Sequence, residues 1–130
     1  MVSINFLAVI VAAIANMVVG ALWYTVFRKT FLANVGKSED ELGSPTTGYL
    51  WSIVASLVMA YVLALFVDYT GAVTAVQGAW TGLLAGIGFI ATAALSATVF
   101  ENRSATIYIL NTCYHLVSLA IMGAILAVWT

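Results

Sequence analysis

Four stretches of this chain are long and apolar enough to cross a lipid bilayer, and this feature limits the possible folds more than any other. A helix that spans the hydrocarbon core needs about 20 mostly apolar residues. No Lys, Arg, Asp or Glu occurs in the four stretches, which cover residues 3–27, 49–67, 75–100 and 105–129. The sequence therefore predicts an all-α integral membrane protein, an antiparallel bundle of four transmembrane helices that forms a single domain over residues 1–130.

The composition agrees with a membrane protein and excludes some partners. Hydrophobic residues make up 64% of the chain and charged residues 7%, whereas soluble domains are about 25% charged. The mean hydropathy is +1.10. A formal net charge of -1 gives no basic surface for nucleic acid. The first partner that we expect is the lipid bilayer, with no nucleic acid.

The basic residues predict how the bundle is oriented. Four spans place the loop 28–48 and the hinge 101–104 on one side of the membrane. All the Lys and Arg residues fall in these two connections: Arg28, Lys29, Lys37 and Arg103. Cytoplasmic loops carry the excess of Lys and Arg, so we expect a multi-pass protein with loop 28–48 in the cytoplasm and both termini outside.

Small residues recur at a spacing of four along the predicted helices, which places them on single helix faces. Such faces allow helices to approach closely in lipid. The third span carries the strongest pattern, GxxxGxxxG. The face can serve contacts within one bundle or between subunits, and both uses remain open. The residues that we expect to pack helices are Gly20, Ser52, Ser56, Gly78, Gly82, Gly86 and Gly123.

Three polar side chains predict a site near the middle of the membrane. Asn16 and His115, the only histidine, lie at similar depths, each roughly 20 Å from the outer end of its span at 1.5 Å per residue. Asn111 lies one helical turn from His115. An ionisable residue inside a span is a functional-site hypothesis. The alternative, which we favour, is that these groups form interhelical hydrogen bonds, worth roughly 0.6 kcal/mol each on average.

Asp68 is the other candidate, an acid at the outer surface where the second span ends. We interpret it as a solvated helix end, because the cost of a buried charge does not apply at the interface. Gly71, which follows it, favours the left-handed backbone that terminates a helix. We expect Cys113 and Tyr114 to point to other faces of the last span and to serve packing. The sequence predicts no catalytic residue, no metal site and no cofactor.

Several short motifs resemble a family of small bacterial membrane proteins, domain of unknown function seventeen sixty-one. They are GALWYTVF (Gly20 to Phe27), VFENRS (Val99 to Ser104) and IMGAILAVW (Ile121 to Trp129). The family's first motif usually continues from tryptophan-tyrosine into serine-proline, where this chain has Thr25-Val26. The resemblance implies four spans in a prokaryotic inner membrane and supplies no activity.

The sequence leaves two classes of non-enzymatic function open and makes an enzyme improbable. The first is a structural, accessory or self-assembling subunit that packs through small-residue helix faces, in a homo-oligomer or in a larger membrane protein complex. The second is an oligomeric small channel or transporter with Asn16, Asn111 and His115 along its route. We rank the first above the second.

Overall fold

The chain folds into four long helices that pack side by side. A computed structural model describes residues 4–30, 45–101 and 104–129. The helices are α1 (Phe6–Val26), α2 (Pro45–Thr70), α3 (Ala75–Phe100) and α4 (Ala105–Val128). Each is long and apolar enough to cross a membrane, and the described residues contain no strand. The predicted all-α bundle of four transmembrane helices is thus confirmed.

Caps at the helix ends explain where the chain turns. Asn5 caps α1 by accepting hydrogen bonds from the backbone amides of Leu7 and Ala8. Gly71 follows α2 with a φ of 72°, the left-handed conformation that glycine adopts without strain, as predicted. Thr74 and Gln77 form a capping box at the start of α3. The short turn after α2 therefore reverses the chain at once.

Helix α3 is not a regular α-helix throughout. It runs as an α-helix over Ala75–Ala85, widens into a π-helix over Gly86–Ala91 and returns to an α-helix over Thr92–Phe100. The hydroxyl of Tyr108 in α4 donates a hydrogen bond of 2.9 Å to the carbonyl oxygen of Ala91. A polar side chain of the neighbouring helix thus bonds to the backbone where the wide turn ends.

Helix α4 is the centre of the bundle, because it packs against each of the other three helices. We call the end that holds Phe6, Thr70 and Val128 the Asp68 end, and the opposite end, with Val26 and Phe100, the Arg28 end. The apolar core lies mainly toward the Asp68 end. Its members are Ala8, Val9, Ala12 and Ala13 of α1, Ala60, Leu63, Ala64 and Val67 of α2, Ala72 of the turn, and Leu119, Met122, Leu126 and Ala127 of α4.

Glycines bring the first half of α3 against α4. A Cβ atom on Gly78 would overlap with the carbonyl oxygen of Gly123, and one on Gly82 would overlap with the carbonyl oxygen of Leu119. A Cβ on Gly86 would lie 2.7 Å from Cδ2 of Leu116. The two backbones touch directly, so this glycine face is occupied within one copy of the chain.

Candidate functional site: a buried polar cluster between three helices

Asn16 is the centre of a polar cluster inside the bundle. It lies on the same face of α1 as Ala8 and Ala12, and only 6% of its surface is exposed. Its side-chain nitrogen donates a hydrogen bond of 2.7 Å to the hydroxyl of Ser56 in α2. Its side-chain oxygen accepts hydrogen bonds from Tyr114 at 2.9 Å and Ser118 at 2.5 Å, both in α4. One amide therefore joins three helices.

Tyr114 belongs to this cluster, so the expectation that it points away and only packs is wrong. Its hydroxyl also lies 3.2 Å from the backbone carbonyl oxygen of Asn16. Gly20, one turn further along α1, makes room for the ring, since a Cβ there would lie 3.0 Å from the tyrosine oxygen. The face of α4 that meets α1 therefore carries Asn111, Tyr114 and Ser118, spaced three and four residues apart.

Asn111 bonds to a residue that the sequence analysis did not select. The hydroxyl of Tyr24 in α1 donates a hydrogen bond to the side-chain oxygen of Asn111. The ring of Tyr24 also meets the ring of Tyr114 edge to face, with centroids 5.6 Å apart. A tyrosine near the end of a span is usually a membrane-interface anchor, which conceals its second use as an interhelical donor.

His115 lies beside the cluster without a hydrogen bond to Asn16. Its ring centroid is 4.7 Å from that of Tyr114. Its Nδ1 is buried and has no hydrogen-bond partner within the described part of the chain, and the same is true of the hydroxyl of Thr112, three residues earlier. The three predicted site residues thus do not form one site. Asn16 and Asn111 each bond to other side chains, and His115 forms no hydrogen bond with either of them.

The other selected residues lie in different surroundings. Ser56 is buried, whereas Ser52, one turn earlier in α2, is exposed. Ser52 is on the same helix face but closer to the Arg28 end, where the residues of α2 whose burial is described, 48 and 50–55, are all exposed. Asp68 is exposed at the end of α2, as expected for a solvated helix end. Cys113 is half-buried with a free thiol.

The arrangement is suited to holding helices together. Asn16 uses one amide donor and the acceptor capacity of its oxygen, and these are most of the bonds that an asparagine side chain offers. The described residues contain no group of three His, Cys, Asp or Glu side chains that could hold a metal ion. Toward the Asp68 end, the interior next to the cluster is apolar, with Ala12, Leu63 and Met122. The polar groups therefore do not continue through one copy of the chain.

Comparison with known families gives a membership and no activity. The family model described as protein of unknown function (DUF1761) matches residues 7–127, which cover all four helices except the first residue of α1 and the last residue of α4. The chain belongs to this family. The matched range contains every residue of the Asn16 cluster, and the match confirms the family resemblance that the sequence motifs indicate. No curated protein and no solved structure matches the chain.

Proposed function

We propose that this protein is a non-enzymatic accessory or self-assembling subunit of a prokaryotic inner membrane, which packs laterally against further copies or against a larger membrane complex. The observation that carries the proposal is the second half of α3. The segment Thr92–Phe100 contains no buried residue, although the first half of the same helix lies against α4 through glycines. The last nine residues of α3 are thus only loosely covered by the other described helices, although they do contact α4.

The side chains of this segment favour another helix as the neighbour. Ala93, Ser96 and Phe100 lie on one face, spaced three and four residues apart, and all three are exposed. Small residues allow a second helix to approach closely, and a serine hydroxyl can donate a hydrogen bond across such an interface. The non-enzymatic part of the proposal is supported by the polar cluster, whose groups are used in bonds between helices.

Cysteine cross-linking in native membranes tests the proposal. In a Cys113→Ala background, which removes the only cysteine, Ser96→Cys is compared with Ser52→Cys. Both serines are exposed and both lie toward the Arg28 end, on α3 and α2 respectively. We expect oxidation to join Ser96→Cys chains to each other or to a partner, while Ser52→Cys chains stay unlinked.

The mass of the intact particle, purified in mild detergent, completes the test. A uniform homo-oligomer supports self-assembly, and a larger complex of fixed stoichiometry supports an accessory subunit. A single chain with no cross-link at either serine would overturn the proposal. A cross-link at Ser52→Cys alone would overturn the assignment to α3.

The second candidate, an oligomeric small channel or transporter, is favoured by one observation. The Nδ1 of His115 and the hydroxyl of Thr112 are buried without partners among the described residues, and such groups can bind water or a small polar solute. Because the polar groups of one chain stop near Asn16, a route would need several copies. Flux through liposomes that is lost in His115→Ala, with assembly intact, would replace the first proposal with this one.

A further inference from the structure

A cleft opens at the Asp68 end of the bundle, separate from the Asn16 cluster. It has a volume of about 250 Å³ and lies between the start of α1, the end of α2, the turn after it and the end of α4. An engineered apolar cavity of about 150 Å³ is large enough to bind benzene, so this cleft is large enough for a small organic group. The residues that line it are Ile4, Asn5, Ala8, Ala64, Val67, Asp68, Gly71, Ala72, Val73, Leu126 and Trp129.

One negative charge lies against apolar walls in this cleft. Among the described residues that line it, Asp68 is the only charged one, and no described side chain forms an ion pair or hydrogen bond with the carboxylate. None of the Lys and Arg residues in the sequence belongs to the connections at this end, because residues 28, 29, 37 and 103 all belong to the other two. The chain therefore supplies no Lys or Arg partner for the Asp68 carboxylate.

The aromatic side of the cleft is fixed by a contact between the first and last helices. The side-chain nitrogen of Asn5 donates a hydrogen bond of 3.3 Å to the carbonyl oxygen of Trp129. Trp129 lines the cleft and is 39% exposed. An indole ring attracts cations over its face, and aromatic rings are a common recognition element for quaternary ammonium groups.

We propose that this cleft binds an organic ammonium cation, with the positive nitrogen near Asp68 and Trp129 and its apolar substituents against Ala8, Ala64 and Leu126. Calcium and magnesium ions need about six or more oxygen ligands, which a single carboxylate among apolar side chains does not provide. The cation can be a free organic ammonium ion or the amine headgroup of a membrane lipid, because the cleft lies where the spans end. The proposal is independent of how the chain assembles.

Calorimetric titration of the purified, full-length protein in neutral detergent tests the proposal, with benzyltrimethylammonium as the probe. We expect saturable binding that falls about tenfold or more in Asp68→Asn, because the replacement removes the charge and keeps the size. Glu101→Gln is the matched control, since it removes one exposed carboxylate at the opposite end. Val73→Trp should also weaken binding, because it fills the rim of the cleft at an exposed position that the fold tolerates.

The two sources of the ammonium group are separated in lipid nanodiscs. If the natural occupant is a lipid headgroup, phosphatidylethanolamine should weaken binding of the probe relative to an uncharged glycolipid, with the share of anionic phosphatidylglycerol kept the same so that the surface charge does not change. If it is a free cation, the two lipids should give equal affinities. Binding of the probe that is unchanged in Asp68→Asn and Val73→Trp, no binding at all to the folded wild-type protein, or an equal loss in Glu101→Gln would each overturn the proposal.

Discussion

Asn16 is the polar residue that we expect to stabilise the bundle most, because its side chain bonds to Ser56, Tyr114 and Ser118 on two other helices. We expect Asn16→Leu, which keeps a similar volume, to lower the free energy of unfolding by roughly 2 kcal/mol, since three interhelical hydrogen bonds at roughly 0.6 kcal/mol each are lost. Reversible unfolding in mixed micelles measures this difference.

Two serines of α2 provide the control at the same scale. Ser56→Ala removes the hydroxyl that accepts from Asn16 and should cost roughly 0.6 kcal/mol. Ser52→Ala makes the same chemical change one turn away at an exposed position and should cost nothing measurable. Equal losses from the two serine variants would show that the effect belongs to α2 as a helix and that the Asn16 bond contributes nothing.

The residues of this cluster show what the sequence could and could not predict about the site. The depth of Asn16 follows from counting residues along its span, and it does meet α4 at the predicted level. Which face of α4 it meets depends on how the helices are rotated, and this is set by packing. The ability of His115 to titrate points to its own face of α4, whereas Tyr114 and Ser118 make the contact with Asn16. The spacing of Asn111, Tyr114 and Ser118, which are three and four residues apart, is the sequence pattern that indicates the correct face of α4.

At the scale of helices, the contact between α3 and α4 depends on the absence of side chains. We expect Gly82→Ala to lower the free energy of unfolding by about 3 kcal/mol, because the new methyl group would overlap with the carbonyl oxygen of Leu119 and force the helices apart. Gly88→Ala is the matched control in the same helix. A Cβ there meets nothing within 4 Å, so stability should be unchanged or rise by up to about 1 kcal/mol from helix propensity. If both variants unfold alike, the close backbone contact does not stabilise the bundle.

The sequence predicted the four helices well because apolar length is a local property. The end of α2 at Gly71 was likewise predicted, because the ability of glycine to adopt a positive φ does not depend on the rest of the fold. The π-helical turn over Gly86–Ala91 was not predicted, because it depends on neighbours in space. Tyr108 of α4 bonds to Ala91 there, and no pattern within the third span indicates that partner.

At the scale of the whole molecule, the two ends of the bundle differ in the charges that they carry and in the presence of a cleft. The four basic residues belong to the connections at the Arg28 end. The Asp68 end carries the cleft and one carboxylate. The buried polar cluster around Asn16 lies near the middle of the bundle, and the apolar core lies mainly toward the Asp68 end. Because the two ends differ, labelling one exposed residue near each end can determine the orientation of the bundle in the membrane.

We expect the Asp68 end to face outward, because cytoplasmic connections carry the excess of Lys and Arg. In a Cys113→Ala background, Val73→Cys and Glu101→Cys place single thiols at exposed positions near opposite ends. A membrane-impermeant maleimide added to intact spheroplasts should label Val73→Cys, and it should label Glu101→Cys only after lysis. Labelling of both thiols after lysis controls for accessibility. The reverse pattern in intact spheroplasts would contradict the predicted orientation, and it would place the proposed ammonium cleft on the cytoplasmic side, within reach of cytosolic cations and of lipids in the cytoplasmic leaflet.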